Sequence, residues 1–134
     1  MPHISKGLLN KKTEADIKKT FSMVLSNITR EDEMNGFLTS LLSPTENLMF
    51  SKRLAIVLLL SENIPASKIA LILHVTRETV ARVELIYQVK PDGYKTALKK
   101  INNQKMINEL KNALLKLAGY SIRAAGGYVK PEVF

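Results

Sequence analysis

The side chains with the clearest chemical potential in this 134-residue chain lie between residues 76 and 82. Guanidinium groups bind phosphates or guanine edges bidentately, and threonine suits phosphate and thymine-methyl contacts. The Glu78 carboxylate either accepts a hydrogen bond from a cytosine amino group or forms an ion pair with Arg82, four residues later. The stretch is therefore typical of a surface that binds anions and base edges, through Thr76, Arg77, Glu78, Thr79 and Arg82.

The residue types that catalysis and metal binding require are scarce. The chain has no cysteine, and its two histidines, His3 and His74, are too few for a histidine-rich metal site. It contains no P-loop, no glycine-rich dinucleotide turn, no nucleophile elbow and no His-x-x-x-His pair. The acidic residues 31–33 lie where a helix start attracts carboxylates. We expect no enzymatic activity, no metal and no catalytic cofactor.

Positive charge is concentrated in one part of the chain. The net charge is +8, and residues 65–105 carry eight basic and three acidic groups, against two and five in residues 31–64. This distribution favours nucleic acid as a partner, with a solvated, lysine-rich surface as the alternative. The sequence has neither an N-terminal secretory signal nor an apolar run near the ~20 residues of a membrane span. We therefore expect a soluble, cytoplasmic protein with no membrane partner.

Apolar residues recur at helical spacing, and no stretch alternates as a strand would. The pattern predicts an all-α fold with one helical domain over residues 13–118. An N-terminal arm is expected at 1–12 and a C-terminal tail at 119–134. The run 54–60 is apolar nearly all round, so we expect it at the centre of the core.

Capping residues predict where several helices begin and end. Thr13 is the expected N-cap of the first helix. Ser43-Pro44 followed by Glu46 has the spacing of a capping box with proline at the first helical position. A later helical pattern begins at Tyr94. Its expected break and end lie at Asn102-Asn103 and Gly119.

Residues 65–87 fit a helix-turn-helix, in which two short helices meet at a steep angle around a tight turn. Thr76 would cap the second helix. His74 would occupy the left-handed turn position that usually carries glycine. An ordinary helical hairpin, which would share part of this pattern, is the alternative. The apolar and small residues that fit the motif are Ile69, Ala70, Leu73, Val75, Val80 and Val83.

A helix-turn-helix would place the outward side chains of its second helix in the major groove of double-stranded DNA. Lysines on and after the motif would bind phosphates, and affinity would fall steeply with salt. The expected DNA-binding residues are Lys68, Thr76, Arg77, Glu78, Thr79, Arg82, Lys90 and Lys95.

Between Leu41 and Lys100 the chain resembles a known family. The similarity rests on residues 41–46, Arg53, residues 69–70, residues 79–83 and residues 93–98. On these stretches it resembles the Trp repressor family, and more closely its small bacterial Trp-repressor-like branch. The resemblance implies an intertwined homodimer whose two helix-turn-helix heads reach successive major grooves, as a transcriptional regulator on an inverted-repeat operator. A helical protein-interaction module, or a DNA-recognition part of a mobile-element or replication system, is the alternative.

The apolar content of the central region is compatible with such a dimer. The run 54–60, with Leu71 and Ile72, offers more apolar surface than one small helical monomer readily hides. Ordinary core contacts for Leu71 and Ile72 are the alternative.

The resemblance also implies a place for an effector. The family's founding member holds an indole corepressor between two arginines that match Arg53 and Arg82, and Ser43 matches a pocket threonine. Val83 stands where that family has glycine, and Ser40 replaces a pocket leucine. Because a β-branched side chain would fill the space that an indole needs, we do not expect tryptophan as the ligand. Alternatively, Arg53 pairs with a carboxylate and Arg82 serves DNA alone.

Overall fold

The computed structural model describes residues 7–101, 108–109, 111–113 and 116. Within residues 7–101 the chain forms helices joined by short loops and no strand, which confirms the predicted all-α fold. No helix of the described residues is long and apolar enough to cross a membrane. The expected helix ends at Asn102-Asn103 and Gly119, and the tail, lie outside the described residues. The helices are α1 (Lys11–Asn27), α2 (Glu31–Leu41), α3 (Pro44–Ser61), α4 (Ala66–Leu73), α5 (Arg77–Val89) and α6 (Pro91–Lys100).

The chain divides into two compact units, Met1–Asn47 and Leu48–Phe134. In the first unit, α1 begins earlier than predicted. Its N-cap is Asn10, whose side chain accepts a hydrogen bond from the Lys12 backbone N–H at 2.9 Å. The prediction of Thr13 was wrong because asparagine is the stronger capping residue and lies only three positions upstream. Thr13 therefore lies within the first turn of α1.

One face of α1 is apolar and uncovered. Ile17, Phe21 and Val24 recur at helical spacing and are 54%, 45% and 38% exposed. No residue of α1 is buried. A continuous apolar face of this kind is typical of a surface that another element or another chain covers.

The start of α3 forms the capping box that its sequence predicts. The Ser43 backbone N–H donates to the Glu46 carboxylate at 3.0 Å, and the Glu46 backbone N–H donates to the Ser43 hydroxyl at 3.1 Å. Pro44 is the first residue of the helix. A backbone N–H at that position has no partner within the helix, so proline, which lacks it, loses no hydrogen bond there. Two backbone donors at the helix start are thereby satisfied.

This capping box makes the stability of the protein depend on pH. The hydrogen bond from the Ser43 backbone N–H, and then that from its hydroxyl, lower the pKa of Glu46 below its ordinary 4.5. The stabilisation is therefore present above about pH 4.5 and is lost as the pH falls through the lower folded pKa. In thermal melts between about pH 7 and pH 3, the melting temperature of wild type should exceed that of Glu46→Gln at neutral pH. The difference between the two melting temperatures should disappear in acid. The control is Glu33→Gln, which changes an exposed glutamate in the first turn of α2. An equal pH-dependent difference in melting temperature for Glu33→Gln would contradict the assignment of the effect to the capping box.

The core of the second unit is built around the second half of α3. Ile56, Val57 and Leu59 are fully buried and Leu58 nearly so, as the apolar run predicts, whereas Leu54 at its start is 40% exposed. Ile56, Val57 and Leu59 belong to one cluster with residues of α4 and α5. Its buried members are Ile56, Val57, Leu59, Ile64, Ile69, Ala70, Ile72, Leu73, Val80 and Val83.

A left-handed residue ends α3 and turns the chain toward α4. Asn63 has φ 61°, its N–H donates to the Leu60 carbonyl at 3.0 Å, and the Ile64 N–H donates to the Leu59 carbonyl at 3.1 Å. These are the two bonds of a Schellman motif, with the side chain of Ile64 buried against the core. Pro65 then precedes α4 in an extended conformation, and its carbonyl accepts from the first turn of that helix. The end of α3 and the start of α4 are thus joined by a short, hydrogen-bonded connection.

Candidate nucleic-acid interface

The helices α4 and α5 pack against each other as the helix-turn-helix pattern predicts. From α4, Ile69, Ala70 and Leu73 are buried, and from α5, Val80 and Val83 are buried. Val75, in the turn, packs against the same cluster and is partly buried. All six positions predicted from the motif therefore face the core, which confirms the motif.

The turn of the motif passes through His74 in the left-handed conformation. Its φ and ψ are both 52°, and the following Val75 N–H donates to the Ala70 carbonyl at 3.1 Å. A non-glycine residue in this conformation costs roughly 1–2 kcal/mol, so the surrounding contacts must hold it there. The buried side chains of α4 and the partly buried Val75 supply those contacts. The prediction that His74 takes the place of the usual glycine is confirmed.

Thr76 caps α5, as predicted. Its hydroxyl accepts from the Thr79 backbone N–H at 3.1 Å and lies 2.9 Å from the Thr79 hydroxyl. This cap fixes the first residue of α5 at Arg77. Two hydroxyls are thus held together at the exposed start of the helix, next to the exposed Arg77.

The two faces of α5 differ sharply in exposure. Val80 is fully buried and Val83 nearly so, while Arg77, Thr79 and Arg82 are exposed. The Arg82 guanidinium donates to the Glu78 carboxylate at 2.6 Å across one helical turn, which confirms the predicted pair. The face away from the core therefore presents arginine, threonine and one carboxylate, the groups that contact phosphates and base edges.

Exposed lysines follow this face along the chain. Lys90 joins α5 to α6, Lys95 lies on α6, and both are exposed, whereas Lys68 on α4 is half-buried. Sequence reasoning did not single out Lys99 and Lys100, which are exposed in the last turn of α6, although they are part of the basic surplus after Ile64.

The rings of Tyr87 and Tyr94 connect α5 to α6, with centroids 6.1 Å apart in an edge-to-face arrangement. The helix α6 begins at Pro91, three residues before the expected Tyr94, because proline fits the first helical position. The aromatic contact positions the lysines of α6 relative to α5.

The three residues matched to an effector site have other contacts here. The Arg53 guanidinium lies 5.4 Å from the centroid of the Phe50 ring, a cation–π arrangement, and Arg82 is paired with Glu78. The Ser43 hydroxyl caps α3 in the first unit. Val83 is only 5% exposed. Its β-branched side chain is thus part of the core.

The dense cluster of ligating side chains that a metal centre needs is not seen among the described residues. No group of three or more histidine, cysteine, aspartate or glutamate side chains there could hold a metal ion.

Comparison with known proteins agrees with this geometry. A family model described as Trp repressor protein matches residues 15–102, from the first turns of α1 to just beyond α6. No curated protein and no solved structure matches the chain. The family match covers well over half of the 134 residues, including the whole helix-turn-helix. The chain therefore belongs to the Trp repressor family, which consists of DNA-binding regulators and not of enzymes.

Proposed function

We propose that this protein is a sequence-specific transcriptional regulator that binds double-stranded DNA as a homodimer on an inverted-repeat operator. The observation that carries the proposal is the division of α5 between a buried valine face and an exposed arginine and threonine face. The family match and the concentration of basic residues after Ile64 support it.

The contacts fall into two classes. Arg77 and Arg82 lie on the face that would enter the major groove, where arginine donates bidentately to guanine. Thr76 and Thr79 would contact phosphate or a thymine methyl group at the groove edge. The lysines at 68, 90 and 95 would bind phosphates and supply affinity that falls with salt but carries no sequence information.

The homodimer is supported by the uncovered face of α1. Ile17, Phe21 and Val24 are each more than a third exposed in a single chain, and a second copy would bury them. Two-fold symmetry would place the two α5 helices in successive major grooves, with half-sites about 34 Å apart. A regulator of this kind would act in the cytoplasm with the DNA, as predicted from the sequence.

Control by an effector is a separate part of the proposal. Arg53, Arg82 and Ser43 are the positions through which the family resemblance implies that a small molecule would bind. The burial of Val83 argues against an indole in that space, so we propose that any corepressor is not tryptophan.

A protein-interaction module is the second candidate, and one feature favours it. Leu85, Ile86 and Val89, in the second half of α5, are 59%, 50% and 67% exposed. The first half of α5 argues against it, because it offers no aromatic side chain and threonine is under-represented among the residues that anchor protein interfaces.

The deciding experiment is selection of bound sequences from a random duplex pool at moderate salt, with the full chain. The proposal predicts recovery of an inverted repeat. Recovery of duplex without any enriched sequence would leave only electrostatic binding and contradict the sequence-specific function. An absence of duplex binding would favour the interaction module.

Two substitutions separate base contacts from phosphate contacts. Arg77→Ala is expected to weaken operator binding by about 1–3 kcal/mol and to relax the preference at one base pair. Lys95→Ala should weaken binding to all duplexes alike and reduce the slope of log K against log salt by about one. Titrations of operator and scrambled duplex at several salt concentrations measure both. Identical behaviour of the two variants would contradict the assignment of Arg77 to a base.

A further inference from the structure

The Glu78–Arg82 pair places a negative charge on the face of α5 that the proposed function turns toward DNA. The Arg82 guanidinium and the Glu78 carboxylate are 2.6 Å apart, and their side chains are 73% and 72% exposed. Glu78 is the one carboxylate among residues 76–82. It lies between the capping Thr76 and the exposed Arg82, within the first turn of the helix.

The pair has little to do with holding the fold together. An exposed ion pair across one helical turn contributes little to stability, since solvent screens it and both side chains lose freedom. A first-turn carboxylate also interacts favourably with the helix dipole, but any acidic residue in that turn would provide this. A carboxylate that faces a polyanion weakens binding. Because the protein has a net charge of +8 and Glu78 contributes little to stability, we look for the role of Glu78 in recognition.

We propose that Glu78 determines specificity by exclusion, an inference that rests on the proposed DNA-binding function. A phosphate beside Arg82 competes with the Glu78 carboxylate for the same guanidinium, and the two anions repel each other at that short distance. This penalty applies to every sequence that offers no base pair able to satisfy both side chains. Discrimination against the wrong partner thus comes from a repulsive element as well as from attractive contacts.

A G·C base pair can satisfy both members of the ion pair. Guanine offers O6 and N7 as acceptors to Arg82, and the paired cytosine offers its N4 amino group as a donor to Glu78. An A·T pair also offers an amino donor, at adenine N6, but its acceptors, adenine N7 and thymine O4, lie on opposite sides of that donor. The two adjacent acceptors that a bidentate arginine contact needs are therefore missing. Each half-site should therefore contain a required G·C pair opposite Glu78 and Arg82.

Glu78→Gln tests this inference, because it removes the charge and keeps the shape of the side chain. Its affinity for non-operator duplex should rise by about tenfold, which is opposite in sign to the effect of Arg77→Ala. Selection from a random duplex pool should lose the required G·C pair from each half-site while the rest of the inverted repeat is retained.

The control is Glu84→Gln, on the same helix. It changes the net charge by the same amount, but Glu84 is half-buried and lies beside the core residue Val83. Its affinity for non-operator duplex should stay within about twofold of wild type, since charge at a distance from the DNA is screened. Thermal melts of both variants verify that each is folded.

The outcomes separate the inference from the function on which it rests. Tighter non-operator binding and loss of the G·C pair in Glu78→Gln alone would support the inference. Sequence-specific binding that Glu78→Gln leaves unchanged or weakens, or an equal rise in Glu84→Gln, would overturn it and leave the proposed function intact. Failure of the wild-type protein to bind any duplex would overturn both.

Discussion

Ile69→Ala is expected to lower the free energy of unfolding by about 2–5 kcal/mol, the range for removing a buried aliphatic side chain. Ile69 is fully buried in α4 and belongs to the cluster that joins α3, α4 and α5. Its loss would leave a cavity behind the helix-turn-helix, where the fixed backbone of the turn limits collapse. Because domains are stable by only about 5–15 kcal/mol, this loss is a large part of the total stability.

Urea unfolding at one fixed protein concentration measures this effect, since the stability of an associating protein depends on concentration. Leu71→Ala is the matched control, because Leu71 lies two residues away on the same helix and is 52% exposed. Leu71→Ala should lower the free energy of unfolding by less than about 1 kcal/mol. Equal losses in the two variants would mean that Leu71 is covered by another surface in solution.

The second large effect is expected from Phe21→Glu. If a second copy covers the apolar face of α1, the substitution introduces a charge into that interface and removes its largest side chain, which is 45% exposed in the single chain. The dissociation constant of the dimer should rise at least about 100-fold, equivalent to about 2.7 kcal/mol. Sedimentation equilibrium over a range of protein concentrations measures the change.

Ser22→Glu is the control for Phe21→Glu, because it adds the same charge to α1 at an exposed position off the apolar face. It should leave the dissociation constant nearly unchanged. Phe21→Glu should also lose tight binding to the full inverted repeat while each chain retains weak binding to a half-site, since two linked sites bind more tightly than either alone. A Phe21→Glu protein that remains dimeric would show that the face of α1 lies outside the interface.

The helix-turn-helix could be predicted from the sequence because short-range patterns determine it. The apolar positions, the cap at Thr76 and the turn at His74 all lie within about 15 residues, and each depends on its immediate neighbours. The Glu78–Arg82 pair follows from spacing in the same way. The contact of Arg53 with Phe50, three residues away, obeys the same spacing rule, but that rule does not decide between an aromatic ring and a carboxylate as the partner of Arg53.

The cap of α1 and the burial of single residues in α4 are harder to predict, because several residues in the sequence fit each role about equally well. Asn10 and Thr13 are both able to cap a helix, and the choice depends on small energy differences between overlapping turns. Leu71 and Ile72 are neighbours of similar hydropathy, yet one is 52% exposed and the other 2%. Each residue rotates by 100° around a helix, so only the direction of packing decides which of the two is buried.

The division of α5 into two faces has a consequence for evolution. Val80 and Val83 anchor the helix from behind, while exposed side chains alone would meet the operator. Exposed positions away from caps tolerate substitution within about 0.5 kcal/mol, so Arg77, Glu78, Ala81 and Arg82 can change with little effect on folding. After gene duplication, two copies of such a protein could acquire separate operators through a few substitutions each. The scaffold is therefore one on which regulatory networks can diversify without first acquiring extra stability.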